Sequence, residues 1–192
     1  MTQVMKGIRV LEVAQFTFVP AAGGILADWG ADVIKIEHPV RGDTQRGFVQ
    51  MGGMKINPLR HTMMEHPNRG KRSVGVDIST KEGMELVYEI ARTADVFLTN
   101  YLPSQRQKMK FDVEHIRAIN PKIIMCSVSL AGQSGPLAAK PGYDYIAQAY
   151  SGIGDLIGDA DGPPALPGMA IGDTATGIAA AMRVKGRDEV RV

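Results

Sequence analysis

The sequence has only one cysteine, Cys126, so no disulfide can form within the chain, and no Cys/His set has structural zinc spacing. No apolar run reaches the about 18 residues needed to cross a bilayer. The beginning, MTQVMKGIRVLEVA, lacks the apolar stretch and small-residue cleavage site of a secretory signal. A cytoplasmic protein that does not enter a membrane is therefore expected. A charge excess is missing as well: 22 Lys and Arg face 20 Asp and Glu, a net charge of +2. So near a balance supplies no basic surface for a nucleic acid.

Two phosphate-binding fingerprints are also absent. The first loop, QFTFVPAAGG over residues 15–24, is neither a GxGxxG turn nor a Walker loop ending in Lys-Ser/Thr. That disfavours a standard dinucleotide or nucleoside triphosphate site. The four histidines, His38, His61, His66 and His115, have neither paired helical spacing nor a companion Ser or Cys motif. They read as polar surface residues, and no metal site is expected. Cys126 lies in an apolar stretch, where a free thiol packs as a small hydrophobe.

What is present suits a folded domain. Hydrophobic residues make up 44% and charged residues 22% of 192, enough to form a sizeable core. Residues 7–14 (GIRVLEVA) read as a buried strand, Pro20 opens a helix ending at Gly30, and residues 32–37 (DVIKIE) form a second strand. Strand, helix and strand within about thirty residues make a parallel βαβ unit. Residues 38–70 read as a long loop, and such length marks a candidate functional element. A strand follows at 71–78, then a helix to Ala91 opened by a capping box between Ser79 and Glu82. Further strands are expected at 94–99 and 121–128, a two-piece helix at 103–120 and a helix at 143–156. Five strands alternating with helices predict a Rossmann-like open parallel α/β sheet, which binds ligands at the carboxyl ends of its strands.

Near the end stands MAIGDTATG, residues 169–177, whose one carboxylate, Asp173, precedes an alanine-rich helix expected over 174–184. By position Asp173 is an N-cap, held by free amides and the helix dipole. The cations Lys35, Arg41, Arg69, Lys71, Arg72, Arg106 and Lys108 fall near predicted strand edges and loops. Each reads as a solvated surface charge, unless several converge to hold phosphate groups.

The ordered series LADWGADVIKIEHPVRGDTQRG, NRGKRSVGVDIST, ADVFLTNYLP, INPKIIMCSVSLAGQSGP, GYDYIAQAYSG and DGPPALPGMAIGDTATG resembles the family III CoA-transferases, from about residue 6 to 182. The resemblance implies a large Rossmann-like domain joined to a smaller one, two subunits threaded through each other as a homodimer, and no permanently bound cofactor. Substrates would be an acyl-CoA and a carboxylic acid. Residues 1–182 would be the N-terminal part of the large domain and 183–192 a divergent charged tail, as if a truncation or frameshift had ended the chain. Asp173 matches the family's catalytic aspartate, which attacks the thioester to give an acyl anhydride and then an aspartyl-CoA thioester. Coenzyme A contacts map onto Thr17, Phe18, His38, Val76, Asp77, Ile78, Ser79, Asn100, Tyr101, Leu102, Lys108, Pro141, Gly142, Tyr143 and Asp144. Two positions depart from the family: His38 replaces a cation that meets a CoA phosphate, and Thr17 replaces a glutamine. The α-methylacyl-CoA racemases share the fold but place a histidine where this sequence has Tyr143. Racemisation thus ranks below transfer, alongside a CoA-binding fragment without catalysis.

Overall fold

The computed structural model describes residues 3–51 and 53–186. Its central sheet has five parallel strands, β1 (Arg9–Val13), β2 (Asp32–Glu37), β5 (Arg72–Gly75), β6 (Val96–Thr99) and β7 (Ile124–Ser127), in the spatial order β5-β2-β1-β6-β7. Strand order reverses beside β1, so the loops after β1 and β6 diverge there and leave a crevice at the carboxyl edge. Between β2 and β5 lie a 3-10 turn (Thr44–Gly47), a short antiparallel hairpin of β3 (Gln50–Met51) and β4 (Met54–Lys55), and helix α2 (Thr62–Asn68). The expected long loop is therefore partly built.

Alternation along the strands feeds two cores. Val10, Val33, Val96, Leu98 and Cys126 point to one face, where α1 (Phe18–Asp28) and α8 (Ile171–Lys185) cover them. Leu11, Ile34, Phe97 and Met125 point to the other, under α3 (Lys81–Ala91) and α5 (Val113–Ile119). A short α4 (Pro103–Lys108) precedes α5, and α6 (Asp144–Ser151) and α7 (Ile153–Ile157) precede α8.

The small residues of α8 have a packing reason. A Cβ on Gly177 would stand 2.9 Å from both the Phe18 carbonyl oxygen and the Ala21 Cβ. Ala180, Ala181 and Val184 are buried on the same side, so α8 lies close along α1. Arg183–Lys185, placed in the expected tail, continue this helix, while residues 187–192 lie outside the described residues.

Local capping corrects several expected boundaries. Asp77 accepts from both the amide and the hydroxyl of Ser79, at 3.0 and 2.6 Å, which takes Ser79 away from the helix. Thr80 caps α3 instead, its Oγ1 accepting from the Gly83 amide at 3.0 Å. Helix α1 begins two residues before Pro20, and the expected helix over 143–156 breaks at Gly152, whose φ of 73° ends one helix and starts the next. Helix α8 begins three residues earlier than expected, with Ala170 at the cap position. Asp173 is consequently inside the first turn and is not the N-cap.

Candidate active site

Two neighbouring clefts open at the carboxyl edge of the sheet. The first, about 240 Å³, brings together Asp173, Thr17, Phe18, Asn100, Leu102, Pro141, Gly142, Tyr143 and Asp144. The second, about 500 Å³, gathers His38, Val76, Asp77, Ile78, Ser79 and Tyr101. Lys108 lines neither and is exposed in the last turn of α4.

The wall between the clefts is the loop from β1 to α1, pinned at both ends. Asn100 accepts from the Gln15 amide at 3.1 Å and donates to the Gln15 carbonyl at 2.6 Å, fastening the loop to the end of β6. Phe16 adopts a left-handed φ of 64°, costly for a bulky residue, and its amide donates to Asp43 Oδ1 at 3.1 Å. Asp43 also accepts from the Gln45 amide at 2.9 Å and pairs with Lys35 at 2.9 Å.

Lys35 belongs to a buried ionic group beneath this loop. Its Nζ contacts Glu12 at 3.1 Å and donates to the Ala14 carbonyl at 2.9 Å. Lys71 meets the other oxygen of Glu12 at 2.7 Å and donates to the Pro20 carbonyl at 2.8 Å. Burial pulls the Lys71 ammonium down to about 8 against the attraction of Glu12, whereas for Lys35 the charges of Glu12 and Asp43 outweigh burial and hold it above its ordinary value. Lys35 and Lys71 are therefore structural ions, which corrects their reading as solvated charges or phosphate ligands. Arg69 and Arg72 pair with Asp28 and Asp32 at 2.5 and 2.6 Å. Arg106 is buried against the Ser127 hydroxyl at 2.7 Å. Arg41 alone of the seven lines a cleft described above, beside His38.

His38 Nδ1 accepts the Val40 and Arg41 amides at 3.1 and 3.2 Å, which assigns its proton to Nε2, 3.8 Å from Asp77 Oδ2. Nε2 thus offers a donor to the second cleft. Among the other histidines, His115 Nδ1 sits 2.9 Å from Asp112, and His61 is half-buried against the Phe48 carbonyl at 3.2 Å.

Asp144 is the organising residue of the first cleft. Buried at the start of α6, it accepts the Ala170 amide on Oδ2 and the Asp173 amide on Oδ1, both at 2.9 Å. Gln148, one turn on, donates to Asp144 and also to the Gly168 carbonyl at 2.7 Å. Gly172 is needed here, since a Cβ would stand 2.9 Å from Asp144 Oδ1. The carboxylate thus caps α8 from outside, where Ala170, at a φ of 60°, has no side chain able to do so.

The Asp173 carboxylate gets no such support. Burial, then the charge of Asp144, pushes it up to about 6, and no donor to it is found among the described residues. At neutral pH it is mostly ionised, half-buried and unshared, which is the state of a carboxylate nucleophile.

Several cleft residues had no individual signal in the sequence. Phe16 packs edge-on against Tyr143, with ring centroids 6.1 Å apart at 86°, and lies 6.3 Å from Phe48. Gln45 accepts the Thr17 hydroxyl at 2.9 Å and donates to the Met63 carbonyl. Phe48, Gln45 and Met63 all come from the long segment after β2, which only its length had marked. Among the described residues no group of three His, Cys, Asp or Glu can hold a metal ion, and no helix is long and apolar enough to cross a membrane.

Comparison with known proteins gives the family. The succinate–glutarate CoA-transferase of Agrobacterium fabrum is 43% identical over 178 residues, covering 91% of this chain and 44% of that protein. A formyl-CoA:oxalate CoA-transferase of Rhodopseudomonas palustris is 36% identical over 184 residues, covering 96% and 42%. The crystal structure of a CAIB/BAIF family protein from Brucella suis superposes with a TM-score of 0.85 at 36% identity, over 95% of this chain and 48% of that one. The chain thus spans less than half the length of these relatives. The profile of CoA-transferase family III matches residues 5–185, and the chain belongs to that family.

Proposed function

We propose that this chain carries the nucleophile and much of the coenzyme A site of an enzyme that moves CoA from an acyl-CoA to a carboxylic acid. The observation that carries the reading is Asp173, an ionisable carboxylate with no donor among the described residues, in a cleft at the carboxyl edge of the sheet. Its oxygen attacks the thioester carbon, the C–S bond breaks, and CoA leaves as thiolate, giving an aspartyl-acyl anhydride. The thiolate then attacks the Asp173 carbonyl carbon, releasing the donor acid and leaving an aspartyl-CoA thioester. The acceptor carboxylate attacks that thioester, the C–S bond breaks to give a second anhydride and free CoA thiolate, and the thiolate attacks the acceptor's acyl carbon, breaking its C–O bond to Asp173 and restoring the carboxylate. A carboxylate suits this sequence because each step conserves an activated acyl group. Asp173 stands in the first turn of α8, where the positive end of the helix dipole favours negative charge.

The second cleft supports the coenzyme A part of the reading, since its lining includes His38 and Arg41, side chains able to donate to phosphate oxygens. Racemisation by the family's acid-base pair needs a histidine beside Asp173, and among the described residues the lining of its cleft includes none.

Trapping tests the proposal. Incubation with an acyl-CoA and hydroxylamine should place a hydroxamate on Asp173, read by peptide mass spectrometry, and Asp173→Asn should abolish it. CoA binding without any adduct would reduce the chain to a CoA-binding part whose chemistry needs residues supplied elsewhere. Deuterium wash-in at the α-carbon of a branched acyl-CoA would instead favour racemisation.

A further inference from the structure

Three consecutive residues of the loop between β1 and α1 have their main chain held by side chains from elsewhere in the fold. Lys35 Nζ, on β2, donates to the Ala14 carbonyl at 2.9 Å. Asn100, just after β6, accepts the Gln15 amide and donates to the Gln15 carbonyl. Asp43, in the segment after β2, accepts the Phe16 amide at 3.1 Å. Lys35 and Asp43 are themselves an ion pair at 2.9 Å, with side chains at most 1% exposed.

The loop so held serves two clefts. Gln15 lines the second, where its side chain donates to the Tyr101 hydroxyl at 2.7 Å, while Phe16, Thr17 and Phe18 line the first. Phe16 reaches its place only at a φ of 64°, a conformation that a bulky residue keeps where its surroundings over-determine it. Asp43 Oδ1 also accepts the Gln45 amide at 2.9 Å, and Gln45 in turn accepts the Thr17 hydroxyl at 2.9 Å. One carboxylate thus sets both the loop and the turn packed on it.

Net stability does not account for the ion pair. Taking an ammonium and a carboxylate out of water offsets most of their attraction, and a well-packed apolar pair of similar volume is often as stable. Helix α1 moreover carries Gly23 where a Cβ would collide with Glu12 Oε2, so helix propensity is given up to make room for the ionic group. What an apolar pair could not do is accept a backbone amide.

We infer that the buried Lys35–Asp43 pair sets the wall shared by the two clefts, with Asp43 the positioning residue that holds Phe16 in its left-handed turn so that CoA can seat against the loop. Asp43 acts through the Phe16 and Gln45 amides, and Lys35 keeps the carboxylate charged and aimed at them. The inference rests on the CoA-transferase reading of the site.

Calorimetric titration of the 192-residue chain with CoA, together with hydrogen exchange of the Phe16 amide read by NMR, tests it. Two double variants remove both ions and leave Glu12 with Lys71. Lys35→Met with Asp43→Asn keeps an oxygen for the Phe16 and Gln45 amides, whereas Lys35→Met with Asp43→Leu does not. The Asn variant should bind CoA within about threefold of the parent and keep the Phe16 amide protected, while the Leu variant should bind at least about tenfold more weakly and exchange faster there. Lost stability alone does not open that gap, because a chain about nine-tenths folded loses only about a tenth of its apparent affinity. Should the Leu variant not fold, Phe16→Asn and Phe16→Val repeat the comparison with Asp43 in place, since asparagine accepts a left-handed φ and valine does not; the Val variant should then be weaker by about tenfold. Equal CoA affinity within the comparison made, whether retained or lost, overturns the inference while the CoA reading stands. If the parent chain binds no CoA, the proposed function falls and takes the inference with it.

Discussion

The Asp144 carboxylate accepts the backbone amide of Asp173 at 2.9 Å across 29 residues of sequence, so one acid of the cleft fixes the main chain of the other. The arrangement has two effects of opposite kind. It satisfies the free amides at the start of α8, and its negative charge helps keep the Asp173 proton affinity high.

Replacing Asp144 by Asn should separate those effects. One amide of α8 would then face an NH2 group, at a cost of about 1 kcal/mol in stability measured by denaturant unfolding. The Asp173 carboxylate, followed by carbon NMR titration, should move below about 6 toward its ordinary range as the neighbouring charge disappears. Gln148→Leu keeps that charge while removing the donor to Asp144, so it should destabilise without the titration shift. Identical titrations in both variants would refute the electrostatic part of the coupling.

Asp173 itself should work against stability at neutral pH. Its folded-state proton affinity, raised to about 6, exceeds that of an unfolded aspartate near 3.8, so the folded protein holds the proton more tightly between those values. Stability from this group is therefore full below the lower value and falls as pH rises toward 6. Asp173→Asn should raise stability at pH 7.5 by about 1–2 kcal/mol, after discounting for partial solvent exposure, and change it little at pH 4. Adduct formation runs the other way, since only the ionised carboxylate attacks: its rate should fall as pH drops below about 6.

Glu12 is the shared counter-ion of two buried lysines, at 3.1 Å from Lys35 and 2.7 Å from Lys71. Glu12→Gln should cost about 3–5 kcal/mol in denaturant unfolding, because it leaves two buried ammonium groups with one remaining carboxylate partner. Adding Lys71→Met to that variant should recover part of the loss, and strict additivity of the two changes would contradict the shared-partner picture.

Gly177→Ala would normally stabilise a helix interior by about 1 kcal/mol. Here the added methyl would lie 2.9 Å from the Phe18 carbonyl, so α8 must move off α1. The expected outcome is a loss of about 1–3 kcal/mol, with a lowered thermal midpoint. A raised midpoint would show that the helices are not in close contact.

Much of the sheet was legible because branched apolar runs such as RVLEV and DVIKIE suit strands buried on both faces, and their spacing allows only parallel connections. The helix starts were less so. Ser79 and Glu82 satisfy a capping pattern, yet Asp77 competes for Ser79 and moves the cap to Thr80. Asp173 similarly looked like its own helix's cap, because nothing in MAIGDTATG announces that a carboxylate from another helix fills that role.

Residue order alone determined the alternation of strands and helices, the family and the identity of the candidate nucleophile, since each is written in local pattern or in ordered motifs. Tertiary structure decided which charges are free to act. Lys35 and Lys71 read as solvated surface charges and became buried counter-ions of Glu12. Asp144 proved to cap α8, a role no local motif announced, while Asp173 has no donor among the described residues. The physical reason is that a charge acquires its role from burial and from partners many residues away, and neither quantity is local to the chain.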